Sequence, residues 1–112
     1  MAMRYSAGML RQSIELHKPV ESRDSIGGAD LTYKPVARVY ASVKPMTARE
    51  VLSADQQHPE ITHRVVIRYL PNVQPEINWR LSFEGRTLEV AAPPIDVDNR
   101  RRFVQLLCRE GG

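Results

Sequence analysis

Apolar and polar residues alternate with a period of two along most of the chain. In Gln12–Lys18, Ile14 and Leu16 share a face with Leu10, while Ser13, Glu15 and His17 fall on the other. In Val36–Lys44, Ala37, Val39, Ala41 and Val43 oppose Arg38, Ser42 and Lys44. Ile61, Val65, Ile67 and Tyr69 line up against Thr62, Arg64 and Arg68. Ile77, Trp79, Leu81 and Phe83 alternate with Asn78, Arg80, Ser82 and Glu84, and Leu88, Val90 and Ala92 with Thr87, Glu89 and Ala91. Phe103–Arg109 is the last such run. This pattern predicts half-buried strands with one face to a core and one to solvent.

The breakers fall between the runs. Glu84-Gly85 is a tight hairpin signal, because glycine accepts positive φ without strain. Pro19, Pro35, Pro45, Pro59, Pro71, Pro75, Pro93 and Pro94 mark expected strand ends, since proline cannot donate to a ladder. Two segments do not alternate. Residues 21–35, with Gly27-Gly28 among acidic and hydroxyl neighbours, read as a long mobile loop or loose hairpin tip. Residues 47–58 open on Thr47-x-x-Glu50, a capping box, and read as one short helix bounded by Pro45 and Pro59. Its apolar residues are few, so it would order mainly against a partner. The expected fold is mainly β, a small antiparallel barrel or sandwich of about six strands. The 112 residues make one domain, 1–112.

Composition narrows this little. Hydrophobic and charged contents of 42% and 26% suit a soluble globular chain. No apolar run approaches the ~20 residues of a membrane helix, and the N-terminus lacks the apolar core of a signal peptide. No membrane contact is expected. Cys108 is the single cysteine, which excludes an intramolecular disulfide and points to synthesis in a reducing cytoplasm. The net charge is +3, and the only lysines are Lys18, Lys34 and Lys44. Arginine forks bind carboxylates and phosphates at two points, which suits contact with macromolecules; genomic base composition gives the same bias.

The sequence offers no catalytic constellation. His17, His58, His63 and Cys108 lack the spacing of a zinc site, and no cofactor motif is present. Cys108 shares a face with Val104 and Leu106 and reads as buried core. His63 lies on the apolar face beside Val65, where a neighbouring loop or solvent can satisfy it; a structural histidine is the better reading than a general base. A deep pocket gathering His63, an acid and Cys108 would revive an enzyme reading. Asp96 and Asp98 read as a solvated loop that partly neutralises Arg100, Arg101 and Arg102.

Several short stretches, taken in order, resemble the phage head–tail joining proteins, also called head-closure, stopper or head–tail adaptor proteins. They are Ala7-Gly8-Met9-Leu10-Arg11, Asp24-Ser25-Ile26-Gly27-Gly28 and Tyr40-Ala41-Ser42-Val43-Lys44-Pro45. Arg49-Glu50, Gln56-Gln57, Thr62-His63-Arg64-Val65, Arg68-Tyr69, Gly85-Arg86 and the closing stretch Arg102–Glu110 follow. Tyr33 and Tyr40 stand where the family favours tryptophan. The resemblance implies a β-barrel made in the host cytoplasm and carried in the virion. It implies a ring of copies, dodecameric in the family, between the portal–adaptor ring and the tail-completion and tail proteins. That ring closes the head after DNA packaging and gives the tail its platform. Asp24, Gly27, Gly28, Arg49, Glu50, Gln56 and Gln57 are then candidates for an interface or channel loop. Arg100 and Arg101 are candidates for a contact with packaged DNA in the lumen or with a neighbouring subunit. On this reading the isolated protein is a monomer or weak oligomer with both loops mobile.

The competing reading is a nucleic-acid-binding barrel of the oligonucleotide-binding type, which needs exposed aromatics in a basic groove. Trp79 and Phe83 share the expected core face and are poor stacking platforms. Three arginines neutralising three phosphates would give a log–log salt slope of about −2.7, roughly a 40-fold loss between 50 and 200 mM salt. That is weak binding for one subunit. A ring would multiply it through effective concentration. Alternation also sends Arg101 opposite Arg100 and Arg102 if a strand has begun, so the run reads as the entry to the last strand.

Overall fold

A computed structural model describes residues 7–22, 30–47, 60–97 and 100–110. After a 3-10 turn at Ala7–Met9, the described chain forms β1 (Gln12–Ser22), β2 (Asp30–Pro45), β3 (His63–Arg68) and β4 (Arg80–Phe83). Then come β5 (Arg86–Val90), the two-residue β6 (Ile95–Asp96) and β7 (Phe103–Glu110). All pairings are antiparallel. Going round, β1 pairs with β2, β2 with β3, β3 with β7, β7 with β5, β5 with β4 and β4 with β1. The sheet thus closes into a six-strand barrel, and β6 is added to the outer half of β7. Closure decides between the two expected architectures in favour of a barrel, and it leaves no long free edge around the wall.

The period-two pattern positions the core. Ile14, Leu16, Val65, Leu81, Val90, Leu106 and Cys108 point inward and are fully buried. Trp79 and Phe83, at 6% and 7% exposure, join the same cluster. Val66 is out of phase with Val65 and Ile67 and faces outward, yet it is buried, because Leu10, Phe103 and the partly buried Val97 pack over it as a second small cluster. Leu10 therefore lies on the outside of the wall rather than on the inner face of β1.

The two ends of the barrel differ. One end, here the turn end, holds Pro45, His63, Glu110 and the β4–β5 hairpin. There Glu84 and Gly85 have φ of 48° and 75°, and Phe83 pairs with Arg86. Two successive positive φ values are the signature of a type I′ turn, whose twist matches the flanking strands. The other end carries Trp79, held by the bond from Val90 N–H to the Trp79 carbonyl (2.8 Å). From this end β1 and β2 continue as a two-stranded arm. β4 leaves β1 at the rung His17–Arg80, while the β1–β2 ladder runs on to Ser22–Asp30.

The arm corrects two expectations. Residues 21–22 and 30–35 are strand rather than part of a mobile loop, and Pro19 and Pro35 lie inside strands rather than at their ends. The physical reason is the register. The prolines occupy alternate rungs, Pro19–Tyr33 and His17–Pro35. Both therefore fit the rungs whose N–H groups point away from the partner strand, so no ladder bond is lost. A bulge between Leu16 and His17 absorbs Val36 beside Pro35. The remainder of the expected loop, 23–29, and the expected helix beyond Thr47 lie outside the described residues.

Because Gly85 has open space where a Cβ would stand, its cost of substitution is purely conformational. We expect Gly85→Ala to destabilise the barrel by about 1–2 kcal/mol, and Glu84→Asn to stabilise it by about 0.5–1 kcal/mol. Urea unfolding midpoints at constant slope check both; a neutral Gly85→Ala would contradict the turn assignment.

Candidate functional site

Three clusters of polar groups stand out among the described residues. The first closes the turn end. β3, β5 and β7 bring His63, Arg86 and Glu110 together, all in phase with the inward-facing residues of their strands. Arg86 makes a two-point contact with Glu110, Nε to Oε2 at 2.7 Å and NH2 to Oε1 at 2.6 Å. The same NH2 lies 3.3 Å from His63 Nε2. An arginine can only donate, so Nε2 is the acceptor and the ring proton resides on Nδ1. Nδ1 then donates to Thr62 Oγ1 at 2.8 Å, and that oxygen also accepts the Glu110 N–H at 2.9 Å. The imidazole is thus neutral, with one defined tautomer.

The electrostatics agree with that geometry. Burial holds His63 below the usual histidine value, Arg86 lowers it further, and Glu110 opposes them. Hydrogen bonding to Arg86 holds the Glu110 carboxyl below the ordinary range, and the Glu110 partner raises Arg86. Cys108 sits on the same rung as His63, so the barrel does bring a histidine, an acid and the cysteine into one neighbourhood. The grouping is chemically quiet. The thiol is fully buried and is pushed up to about 12 by burial, and its hydrogen points to the Leu106 carbonyl (3.8 Å). His63 Nε2 is already engaged by Arg86, which leaves it no free lone pair to act as a base.

The second cluster is a ladder of charges on the outer wall. The rungs Arg80–Glu89 and Glu89–Arg109 put one carboxylate between two guanidiniums, at 3.7 and 2.7 Å. Arg80 also stacks on Tyr33, 3.9 Å from the ring centroid. This cation–π contact ties the base of the arm to the barrel. On the neighbouring wall, Glu15 pairs with Arg38 at 3.3 Å and with His17 at 3.0 Å.

The third is the arginine turn at the arm end. Arg100, Arg101 and Arg102 are all exposed and precede β7, which begins at Phe103. Arg101 has φ of 54°, and its N–H donates to both Asp96 oxygens, at 3.0 and 3.2 Å. Asp96 therefore holds the backbone of the turn, a different task from the charge neutralisation expected of it. The Arg102 carbonyl accepts the Tyr69 N–H at 2.9 Å, so this residue is the hinge into the strand rather than its first member.

Of the candidate residues, Arg100 and Arg101 are brought together on one exposed turn. Asp24, Gly27, Gly28, Arg49, Glu50, Gln56 and Gln57 lie outside the described residues. Thr62, Arg86 and Glu110 were not singled out as a site, although each lies in a stretch that carries the family resemblance. The β3–β7 and β5–β7 pairings, which join distant segments, bring them to one place. Among the described residues no group of histidine, cysteine and acidic side chains could hold a metal ion.

Comparison with known proteins agrees with the barrel. The model of the family described as phage head completion protein matches residues 5–111. The chain belongs to the phage head completion protein family. Membership makes it a phage structural protein of the virion. The solution structure of protein SF1141 from Shigella flexneri 2a is similar, with 26% identity and a TM-score of 0.76 over 96% of this chain and 98% of that one. A chain in the virion of a native gene transfer agent particle shares the fold, with 19% identity and a TM-score of 0.67 over 91% of this chain and 96% of that one. No curated protein matches the sequence.

The His63 arrangement has a pH signature. The folded value lies below the ordinary histidine value of 6.5, so the unfolded chain takes up its proton first as pH falls. The stability contributed by the neutral imidazole is fully present above 6.5 and is lost as pH drops through that value toward the folded one. Unfolding midpoints should decline over that window, and a His63→Asn variant should lose that part of the decline. In Arg86→Met, the His63 titration followed by NMR should move upward. An unmoved titration would contradict the Arg86 contact.

Proposed function

We propose that this chain assembles as a ring beneath the portal and its adaptor, closes the filled head and presents the platform to which the tail binds. The observation that carries the reading is the family match across residues 5–111. The chemistry supports it. Among the described residues, the histidine of the histidine–acid–cysteine neighbourhood is engaged by Arg86 and the cysteine is buried, which favours a structural part over an enzyme. The surface is rich in features that suit assembly: a projecting arm, an exposed arginine turn, and Tyr40 at 66% exposure on β2. Tyr40 stands where the family favours tryptophan, and large aromatics on a polar wall are common anchors of interfaces. A base-stacking barrel is disfavoured, because Trp79 and Phe83 belong to the core.

Deleting the gene from its phage should yield heads that package DNA and fail to keep it, with tails left unattached. Supplying the wild-type chain should restore infectious particles. Normal particles without the gene would refute the reading. Within the ring, Arg100 and Arg101 face packaged DNA or a neighbouring subunit. Reversing both charges should reduce the recovery of DNA-filled particles, and full recovery would remove these two residues from the lumen.

A further inference from the structure

Two features at the arm end carry charged side chains that have no ion-pair partner among the described residues. The first is a rung of the arm that sets Lys18 directly opposite Lys34. Both are exposed, and neither has a carboxylate partner among the described residues. Like charges on one rung destabilise a ladder. They also discourage a second arm from adding edge to edge, so they favour an acidic partner. The second is an open groove beside β6 and the start of β7, walled by Tyr69, Pro75 and Pro94 and carrying Glu76 and Asp96. Glu76 is exposed and has no cationic partner among the described residues, and Asp96 meets the Arg101 turn through its backbone amide. In the closed ring of strands, β7 stands three strands from β1 in either direction. Arm and groove are therefore at the same end of the barrel and on opposite walls.

We propose that the arm of each copy docks its Lys18–Lys34 rung into the Glu76–Asp96 groove of the next copy. The inference rests on the connector reading and names the surface by which its subunits join. The lysines are opposite in charge to Glu76 and to Asp96, beside which the exposed Arg100–Arg102 turn stands, and the lysine stems can cover the proline and tyrosine walls while their ammonium groups reach the carboxylates. Two different patches on opposite walls make a head-to-tail contact. Repeated with a closing rotation, such a contact gives a ring rather than an isolated dimer. Each single contact is weak and salt-sensitive, which suits a chain that assembles only when the portal complex gathers its copies.

The test uses head–tail complexes assembled from a mixture of unlabelled and heavy-isotope chains, treated with a carbodiimide that joins an ammonium to a carboxylate without a spacer. Peptides linking Lys18 or Lys34 to Glu76 or Asp96 should appear with mixed isotopes. Lys18→Glu with Lys34→Glu should lower incorporation into the ring by about tenfold while leaving the unfolding of the isolated barrel unchanged. Adding Glu76→Lys to that chain should recover much of the loss. A ring in which the lysines join carboxylates of another protein, or none, overturns the docking and leaves the connector reading intact. Absence of the chain from any head–tail ring overturns both.

Discussion

The structure depends on one ladder, the pairing of β3 with β7 from His63–Cys108 to Arg68–Phe103. The other pairings of the wall make a curled sheet; this one closes it. Closure gives every strand of the wall two neighbours and buries Val65, Ile67, Leu106 and Cys108 against the side chains of β1, β4 and β5. It joins segments far apart in sequence, so its loop-closure cost must be offset by the core it closes. Cys108, on the terminal rung of this ladder, is a packing residue, and its unreactive thiol follows from its burial.

Closure also makes the two ends of the barrel different. At the turn end β7, paired with β3 on one side and β5 on the other, brings Glu110 to His63 and Arg86, and a two-point ion pair with a fixed imidazole caps the mouth of the core. At the arm end, β1 and β2 outrun their neighbours and leave the wall as a ribbon, anchored at its base by Arg80 on Tyr33. The chain thus has a rigid, polar-capped end and an end built to reach outward. The proposed connector, which would join unlike neighbours above and below, has a use for that asymmetry.

Much of this was legible in the sequence. Alternation located the inward faces of Ile14, Leu16, Leu81, Phe83, Val90 and Leu106, and Glu84-Gly85 located the hairpin. Counting outward from that turn gives the Arg80–Glu89 rung. The arm was not legible, because proline was read as a stop where the register makes it harmless. Leu10 was placed on the wrong face, and Val66 was left unassigned, for a related reason: a period-two reading assumes one buried face, and here a short segment covers part of the outer one. The cluster of Thr62, His63, Arg86 and Glu110 needed the β3–β7 and β5–β7 registers, which no local pattern encodes. The order of short motifs carried the family, whereas the residues that would form its moving loops lie outside those described.

The central claim is that this barrel is a ring component at the junction of head and tail. The most direct measurement is an electron-microscopic reconstruction of tailed particles at a resolution that places strands. The account predicts a closed ring of six-strand barrels between the portal complex and the tail, one chain per barrel, with the β1–β2 arm extended toward a neighbour. A junction built without this chain, or density for it only in the capsid shell or the tail tube, would contradict it.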